Sequence, residues 1–240
     1  MSHSNSKNQQ KLFITGKMGS GKGAAALWLE TNCHAQRWTR TDLMKRLAHS
    51  LTDYVGNPDE YIARLFDNKE ERDHVREELI SYTLDYKEES GKPRRLYQDV
   101  TEICQKYDPY CFEKELDERI NLVKGVQFSL IDDVRKLSAF EFFTDQGYKS
   151  LRIQADERIR KQRMLDRDGY LPSPETFNHS SEIELDSVDN DYTIVNNSND
   201  PKKLIEDLKK VAIDLDLSPV ELNDSDVAVF KEAITASKPE

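Results

Sequence analysis

The sequence predicts an α/β fold in which a mostly parallel sheet lies between layers of helices. Short apolar segments alternate with helical patterns along the chain, and a glycine-rich turn joins the first of them to the first helix. Strands that alternate with helices are connected by crossovers and therefore run parallel. The predicted strands are residues 11–15, 126–131, 149–154 and 191–195.

The glycine-rich turn carries the clearest chemical signal. The segment Gly16-Lys17-Met18-Gly19-Ser20-Gly21-Lys22 matches the pattern GxxxxGK, and it follows a predicted strand and opens a predicted helix, 22–30. In that context the loop amides, the helix N-terminus and the lysine bind the phosphates of a nucleotide. Gly23 stands where most such loops carry the Ser or Thr that holds Mg²⁺, and Ala24 follows it. Either Mg²⁺ is held by substrate phosphates, water and a distant carboxylate, or the site is degraded.

The middle of the chain, residues 41–124, is almost entirely helical in pattern. This block is too long for a simple crossover, so we expect a helical cap beside the sheet in which an acceptor binds. Asp108 followed by Pro109 predicts the start of its last helix. The predicted helices are 41–50, 57–66, 68–89, 96–107 and 109–123 in this block, and 138–146, 156–167 and 200–215 after it.

The predicted domain boundaries follow from these patterns. Residues 1–10 form a disordered polar tail, 11–215 one domain, and 216–240 an acidic tail with a short helix near 227–235. Within the domain, 156–190 combines a basic helix with an irregular polar segment and is expected to form a lid.

Composition excludes several classes of protein. The 240 residues include 35 Lys and Arg against 45 Asp and Glu, a net charge of −10 without a basic tract, which argues against binding a nucleic acid polymer. No apolar run is long enough to span a membrane, and residues 1–10 contain no apolar segment, so we expect neither a membrane span nor a secretory signal. The three cysteines form no CxxC pair, so we expect inert buried thiols in a cytoplasmic protein.

Two further segments carry charged residues suited to phosphoryl transfer. Asp132 and Asp133 end a predicted buried strand, where ligands bind in open α/β sheets, and Arg135 follows them. We expect Asp133 to hold Mg²⁺ and Arg135 to bind a phosphate, the alternative being a helix cap with a surface arginine. Arg160 and Arg163 lie on one face of the basic helix and are expected to stabilise the transferring group. The alternative is a solvated charged helix.

These motifs together resemble the P-loop nucleoside monophosphate kinases, over roughly residues 11–212. Asp133-Val134-Arg135, His179-Ser180-Ser181-Glu182 and Leu185-Asp186 are similar to segments of phage-type deoxynucleoside monophosphate kinases. Animal-type phosphomevalonate kinases share much of this pattern, including an arginine pair at the spacing of Arg160 and Arg163. Both groups usually carry Asp at the position of Gly23.

The resemblance implies an ATP- and Mg²⁺-dependent transfer of the γ-phosphoryl group to a nucleoside or deoxynucleoside monophosphate. It points to Arg40 and Arg95 as candidates for binding the acceptor phosphate, although either could be an ordinary surface arginine. His179 has either a functional or a structural role. Two alternatives remain: another acceptor on the same scaffold, such as phosphomevalonate or dephospho-coenzyme A, or a nucleotide-binding protein with little catalysis. The sequence predicts no oligomeric state.

Overall fold

A computed structural model describes residues 9–52, 56–85, 94–171, 184–198 and 200–220 of the chain. The chain divides into two compact units. The first comprises Met1–Trp38 and Lys124–Glu240, and the second comprises Thr39–Val123. His179 and the helix expected near 227–235 lie outside the described residues.

The first unit contains a five-stranded sheet in the order β2-β3-β1-β4-β5, and every neighbouring pair is parallel. The predicted α/β class with a parallel sheet is therefore confirmed. The strands are β1 (Gln10–Thr15), β2 (Gln36–Trp38), β3 (Phe128–Ile131), β4 (Lys149–Gln154) and β5 (Tyr192–Val195). The described helices are α1 (Lys22–Asn32), α2 (Thr41–Thr52), α3 (Pro58–Leu65), α4 (Lys69–Asp85), α5 (Arg94–Tyr107), α6 (Cys111–Leu122), α7 (Leu137–Asp145), α8 (Glu157–Asp168) and α9 (Pro201–Asp214).

The sheet lies between two helical layers because side chains alternate between its faces. Leu12 and Ile14 of β1 are fully buried in the core that includes residues of α1 and α9, such as Trp28 and Leu208. Phe13 belongs to the opposite face, where its ring packs edge-on against Phe140 of α7 at 5.1 Å between centroids. The three-layer arrangement therefore follows from the alternation within one strand.

Strand β2 was not among the predicted strands. It has only three residues, lies at the edge of the sheet and contains no apolar alternation that a sequence pattern would reveal. Its position depends on long-range contacts: Trp38 Nε1 donates to Ser129 Oγ at 3.0 Å, and Arg37 pairs with Asp132. Tertiary pairing, rather than local propensity, forms this strand.

The second unit is a bundle of the five helices α2–α6. Its core includes Leu47, Val75, Val100 and Phe112, one residue from each of α2, α4, α5 and α6. The start predicted for the last helix at Pro109 is wrong by two residues, because α6 begins at Cys111. Asp108 instead closes a turn before the helix, where its side chain accepts a hydrogen bond from the Tyr110 amide at 2.9 Å.

All three cysteines are free and buried, as the sequence predicts for packing residues. Burial raises the pKa of the Cys33 thiol to about 11 and that of Cys104 to about 12. Burial also raises the pKa of Cys111, with a smaller contribution from nearby Cys104. These thiols are therefore protonated at neutral pH and poor nucleophiles.

Each described helix is too short or too polar to cross a lipid bilayer.

Candidate functional site

The phosphate loop connects β1 to α1 and depends on three glycines with positive φ. Gly16, Gly19 and Gly21 have φ values of 138°, 76° and 105°. They also lack space for a side chain: a Cβ at Gly19 would lie 2.7 Å from the Arg160 carbonyl oxygen, and one at Gly16 would overlap the Ile153 carbonyl. The loop is therefore held tightly against its neighbours, and only glycine fits these positions.

Lys22 and Ser20 direct polar groups into the loop. Lys22 Nζ donates hydrogen bonds to the carbonyls of Gly16 and Lys17, the latter at 3.1 Å, so its side chain folds back across the loop. Ser20 is 1% exposed, and its hydroxyl has no hydrogen-bond partner among the described residues. The first turn of α1 contains no acidic residue. A buried hydroxyl without a partner, an ammonium group and a helix N-terminus together suit a bound phosphate.

Helix α8 lies directly against this loop. Arg160 is 5% exposed and donates from Nη1 to the Met18 carbonyl at 3.2 Å. Arg163 is half-buried and donates to the Ser20 carbonyl at 3.3 Å and to the Ser198 carbonyl at 2.6 Å. Burial lowers the pKa of Arg163 below its ordinary value, which still leaves the group charged at neutral pH. The two arginines predicted for a lid thus contact the main chain of the phosphate loop.

Asn196 is a loop contact that our interpretation of the sequence missed. It is buried at the end of β5, and its Nδ2 donates to the Ser20 carbonyl at 2.9 Å. The neighbouring Asn197 accepts a hydrogen bond from the Asp156 amide at 2.8 Å, just before α8. The position of Asn196 and Asn197 could have indicated this contact, because two polar residues follow a parallel strand at its carboxyl end, where ligands bind in this class of sheet.

Lys17, Asp186 and Arg152 form an ion cluster beside the loop. Lys17 Nζ lies 2.5 Å from Asp186 Oδ2, and Arg152 Nη2 lies 2.7 Å from Asp186 Oδ1. Partial burial of Asp186 acts to raise its pKa, but the two cations outweigh it and hold the pKa below the usual range. Asp186 was not predicted as a site residue, although it belongs to the Leu185-Asp186 segment that carried the resemblance.

An open cavity of about 350 Å³ adjoins the loop, a volume within the range of small-molecule sites. Its lining includes Lys17, Gln154, Asp156, Arg160 and Val195. A much smaller cavity is lined by Gly16, Lys17, Val134, Arg135, Arg152, Leu185 and Asp186. The structure therefore brings Arg135, Arg160 and Arg163 to the surroundings of one loop.

The two aspartates after β3 have different environments. Asp132 accepts from Arg37 Nε at 2.9 Å, which ties the end of β3 to β2. Asp133 is half-buried. Asp133 follows the end of β3 by two residues, and β3 pairs with β1, the strand that leads into the loop. No group of three potential metal-ligating side chains occurs within the part of the chain that the structure describes. A Mg²⁺ ion at Asp133 would therefore need oxygen ligands from substrate and water.

The two predicted acceptor arginines belong to the second unit and have different surroundings. Arg40 Nη1 pairs with Glu113 Oε1 at 3.0 Å, and the Glu113 side chain is 1% exposed. Arg95 is largely exposed, with its Nε 3.7 Å from Asp99. Arg40 thus has a buried carboxylate partner, whereas Arg95 is accessible to an anion.

Comparison with known proteins supports the fold. No model of a protein family matches the chain, and no curated protein matches its sequence. The chain is similar to the crystal structure of TT1252 from Thermus thermophilus, with a TM-score of 0.50, 18% identity, and coverage of 87% of this chain and 98% of that one. A sugar kinase from a Janibacter species gives a TM-score of 0.46, 14% identity, and coverage of 88% and 97%. At 18% identity the similarity to TT1252 concerns the fold alone.

Proposed function

We propose that this chain is an ATP-dependent phosphotransferase that binds the triphosphate of ATP at the phosphate loop. The observation that carries the proposal is the loop itself: three glycines without room for a side chain, Lys22 folded across the loop, and the buried hydroxyl of Ser20. This combination of a tight turn, a cation and a helix N-terminus is suited to phosphate groups. The adjoining cavity has space for a further part of the substrate.

The arginines around the loop supply the electrostatic part of the reaction. During transfer, negative charge spreads over the γ-phosphoryl oxygens and the leaving β-phosphate, so fixed cations lower the barrier. We assign this role to Lys22, Arg135, Arg160 and Arg163. A phosphate acceptor is already an anion, so the chain needs no general base to activate it.

Mg²⁺ is the cofactor that fits this scheme, because it would neutralise charge on the β- and γ-phosphates. Asp133 is the residue we propose to hold it, directly or through water. Neither Gly23 nor Ala24 has a side-chain oxygen to contribute. The protein's contribution to metal binding would therefore come from a carboxylate rather than from the hydroxyl usual after this lysine.

For the acceptor we propose the phosphate of a nucleoside or deoxynucleoside monophosphate. This finer assignment rests on the resemblance of the segments around Asp133 and Asp186 to monophosphate kinases. Arg95 is accessible to such an anion, and Arg40 would have to exchange Glu113 for it. A different phosphate acceptor on the same scaffold is the nearest alternative. The missing hydroxyl at Gly23 and Ala24 favours a second alternative, a nucleotide-binding protein with little catalysis.

The experiment is to measure ADP production from ATP and Mg²⁺ with a panel of acceptors. The panel contains nucleoside and deoxynucleoside monophosphates, phosphomevalonate and dephospho-coenzyme A. Lys22→Ala should reduce turnover on the order of 10³-fold with an unchanged circular dichroism spectrum, because it removes a cation from the transferring group. Lys124→Ala, at an exposed lysine in the turn before β3, is the matched control.

The outcomes separate the alternatives. Turnover with a monophosphate supports the proposed acceptor, and turnover with only another acceptor replaces it. Thermal stabilisation by ATP without turnover on any acceptor would support the binding protein. Turnover of Lys22→Ala within a few-fold of the wild type would exclude the loop as the donor site.

A further inference from the structure

The cluster of Lys17, Asp186 and Arg152 places a carboxylate beside two cations of the phosphate loop region. Asp186 contributes one oxygen to each: Oδ2 to Lys17 Nζ at 2.5 Å and Oδ1 to Arg152 Nη2 at 2.7 Å. A phosphate group also presents separate oxygens to neighbouring cations. The carboxylate therefore bridges Lys17 and Arg152 in the way that a phosphate could.

The three side chains of this cluster differ in their exposure to solvent. The Arg152 side chain is only 8% exposed, while those of Lys17 and Asp186 are 28% and 41% exposed. Arg152 Nη1 donates to the Leu185 carbonyl, and its Nε has no hydrogen-bond partner among the residues described. A buried guanidinium needs a counter-charge, whereas an exposed carboxylate can be exchanged for another anion at small cost.

The position of the cluster connects it to the proposed substrate. Lys17, Arg152 and Asp186 line both the cavity of about 350 Å³ and the small cavity beside Gly16 and Arg135. An anion that approaches the loop through the larger cavity meets this ion cluster. The carboxylate and the incoming anion then compete for Lys17.

We propose that Asp186 is a positioning residue that holds Lys17 and Arg152 beside the phosphate loop and gives up Lys17 to a bound polyphosphate. This inference rests on the proposed function only in that the loop binds phosphate groups. Asp186 orients Lys17 and Arg152 before substrate binds. A polyphosphate must then displace the Asp186 carboxylate from Lys17. Its charge therefore lowers the affinity of the loop for phosphate chains.

Calorimetric titration with inorganic tripolyphosphate tests the competition. Asp186→Asn should bind this probe about fivefold more tightly than the wild type, because a partly exposed ion pair contributes up to about 1 kcal/mol. Asp186→Glu should stay close to the wild type. The matched control is Asp207→Asn on α9, since Asp207 also lies between two cations, Lys203 at 3.1 Å and Lys210 at 2.8 Å. Unchanged or weaker binding by Asp186→Asn would overturn the inference, because a purely structural role predicts no gain.

A second measurement uses the wild-type protein and does not depend on how the variant folds. The ¹³C resonance of the Asp186 carboxyl should titrate with a low pKa in the free protein and with a higher one when tripolyphosphate is bound. The pKa of Asp186 should rise because its carboxylate loses the contact with Lys17 and gains a negatively charged phosphate as a neighbour. An unchanged pKa on binding would also overturn the proposal.

The two proposals fail in different ways. If Lys22→Ala abolishes tripolyphosphate binding but Asp186→Asn leaves it unchanged, only the role of Asp186 is wrong. If Lys22→Ala binds as well as the wild type, the loop is not the phosphate site and the proposed function fails. If neither the wild type nor Asp186→Asn binds the probe, both proposals are wrong.

Discussion

Arg163 in the first unit and two arginines in the second unit have different kinds of hydrogen-bond partner. In the first unit, Arg163 donates to the carbonyls of Ser20 and Ser198 and to Asn196 Oδ1, all neutral acceptors. In the second unit, Arg40 and Arg64 pair with the buried carboxylates of Glu113 and Glu115. Neutral acceptors orient a guanidinium without cancelling its charge, whereas a buried carboxylate cancels it. Arg163 therefore keeps a positive charge that can stabilise a substrate anion. Arg40 and Arg64 instead neutralise buried carboxylates and stabilise the folded state.

Of the substitutions that test this difference in partners, Arg40→Ala should have the largest effect. Arg40→Ala leaves Glu113, which is 1% exposed, without its cation, and should destabilise the protein by about 3 kcal/mol. Urea denaturation measures this change. Arg95→Ala is the control, since that side chain is 73% exposed and should cost less than about 0.5 kcal/mol.

A second substitution distinguishes structural from acceptor-binding roles of Arg40. Adding Glu113→Gln to Arg40→Ala should recover most of the lost stability, because no buried charge remains. If Arg40→Ala keeps wild-type stability and loses only affinity for the acceptor, the structural role inferred from Glu113 is wrong.

The next largest effect is expected in the rate of the Arg163 variant. Arg163→Ala should lower the maximal rate by about 10²-fold, because it removes a charge near the transferring group. It should cost only about 1 kcal/mol in stability, since the lost hydrogen bonds go to neutral carbonyls. Arg167→Ala, one turn further along α8, is the matched control because Arg167 pairs with the adjacent Asp168. Steady-state kinetics would contradict this role if Arg163→Ala loses ATP affinity at an unchanged maximal rate.

In both units the sequence predicted helices and strands better than contacts between distant residues, for physical reasons. Four strands and the phosphate loop were predictable because apolar runs and glycine spacing are local signals. The pairing of Arg40 with Glu113 spans 73 positions and depends on how helices pack, so no local pattern carries it. The same is true of Asp186, whose partners Lys17 and Arg152 are 169 and 34 positions away.

A smaller effect is expected from substituting Asp191, whose carboxylate connects two strands of the sheet in the first unit. It accepts hydrogen bonds from Lys149 Nζ at 2.7 Å and from the Ser150 amide at 2.9 Å, where β4 and β5 begin. Partial burial acts to raise the pKa of Asp191, but these partners lower it below the usual range. A carboxyl whose pKa is lower in the folded state contributes stability above its unfolded pKa of about 4 and loses it as pH falls through the folded pKa.

Asp191→Asn should therefore cost about 1 kcal/mol at pH 7 and progressively less below about pH 4. Urea denaturation of both proteins between pH 7 and pH 2 gives the comparison. A difference in stability that stays constant down to pH 2 would contradict the role of the charged form. Asp145→Asn, at an exposed position at the end of α7, provides the control for removing one charge.

The smallest expected effect is at Gly23, where the phosphate loop lacks the usual hydroxyl. A Cβ at Gly23 meets no atom within 4 Å, and the backbone there does not require glycine, unlike that of Gly21 with its φ of 105°. Both Gly23→Ala and Gly23→Thr should therefore fold, and the alanine should stabilise α1 by about 0.5 kcal/mol. Only Thr adds an oxygen that Mg²⁺ can use.

The two substitutions at Gly23 make a matched test of how the metal is held. If Asp133 and substrate phosphates now provide the ligands, Gly23→Thr should lower the Mg²⁺ concentration for half-maximal rate by about threefold, since one added oxygen ligand is a modest gain. Gly23→Ala should leave it unchanged, and Asp133→Asn should raise it. The measurement is initial rate against Mg²⁺ concentration at fixed ATP for all four proteins. Superimposable curves for Gly23→Thr and Gly23→Ala would show that the metal does not approach this end of the loop. Curves for Asp133→Asn that match the wild type would mean that Asp133 does not hold the metal.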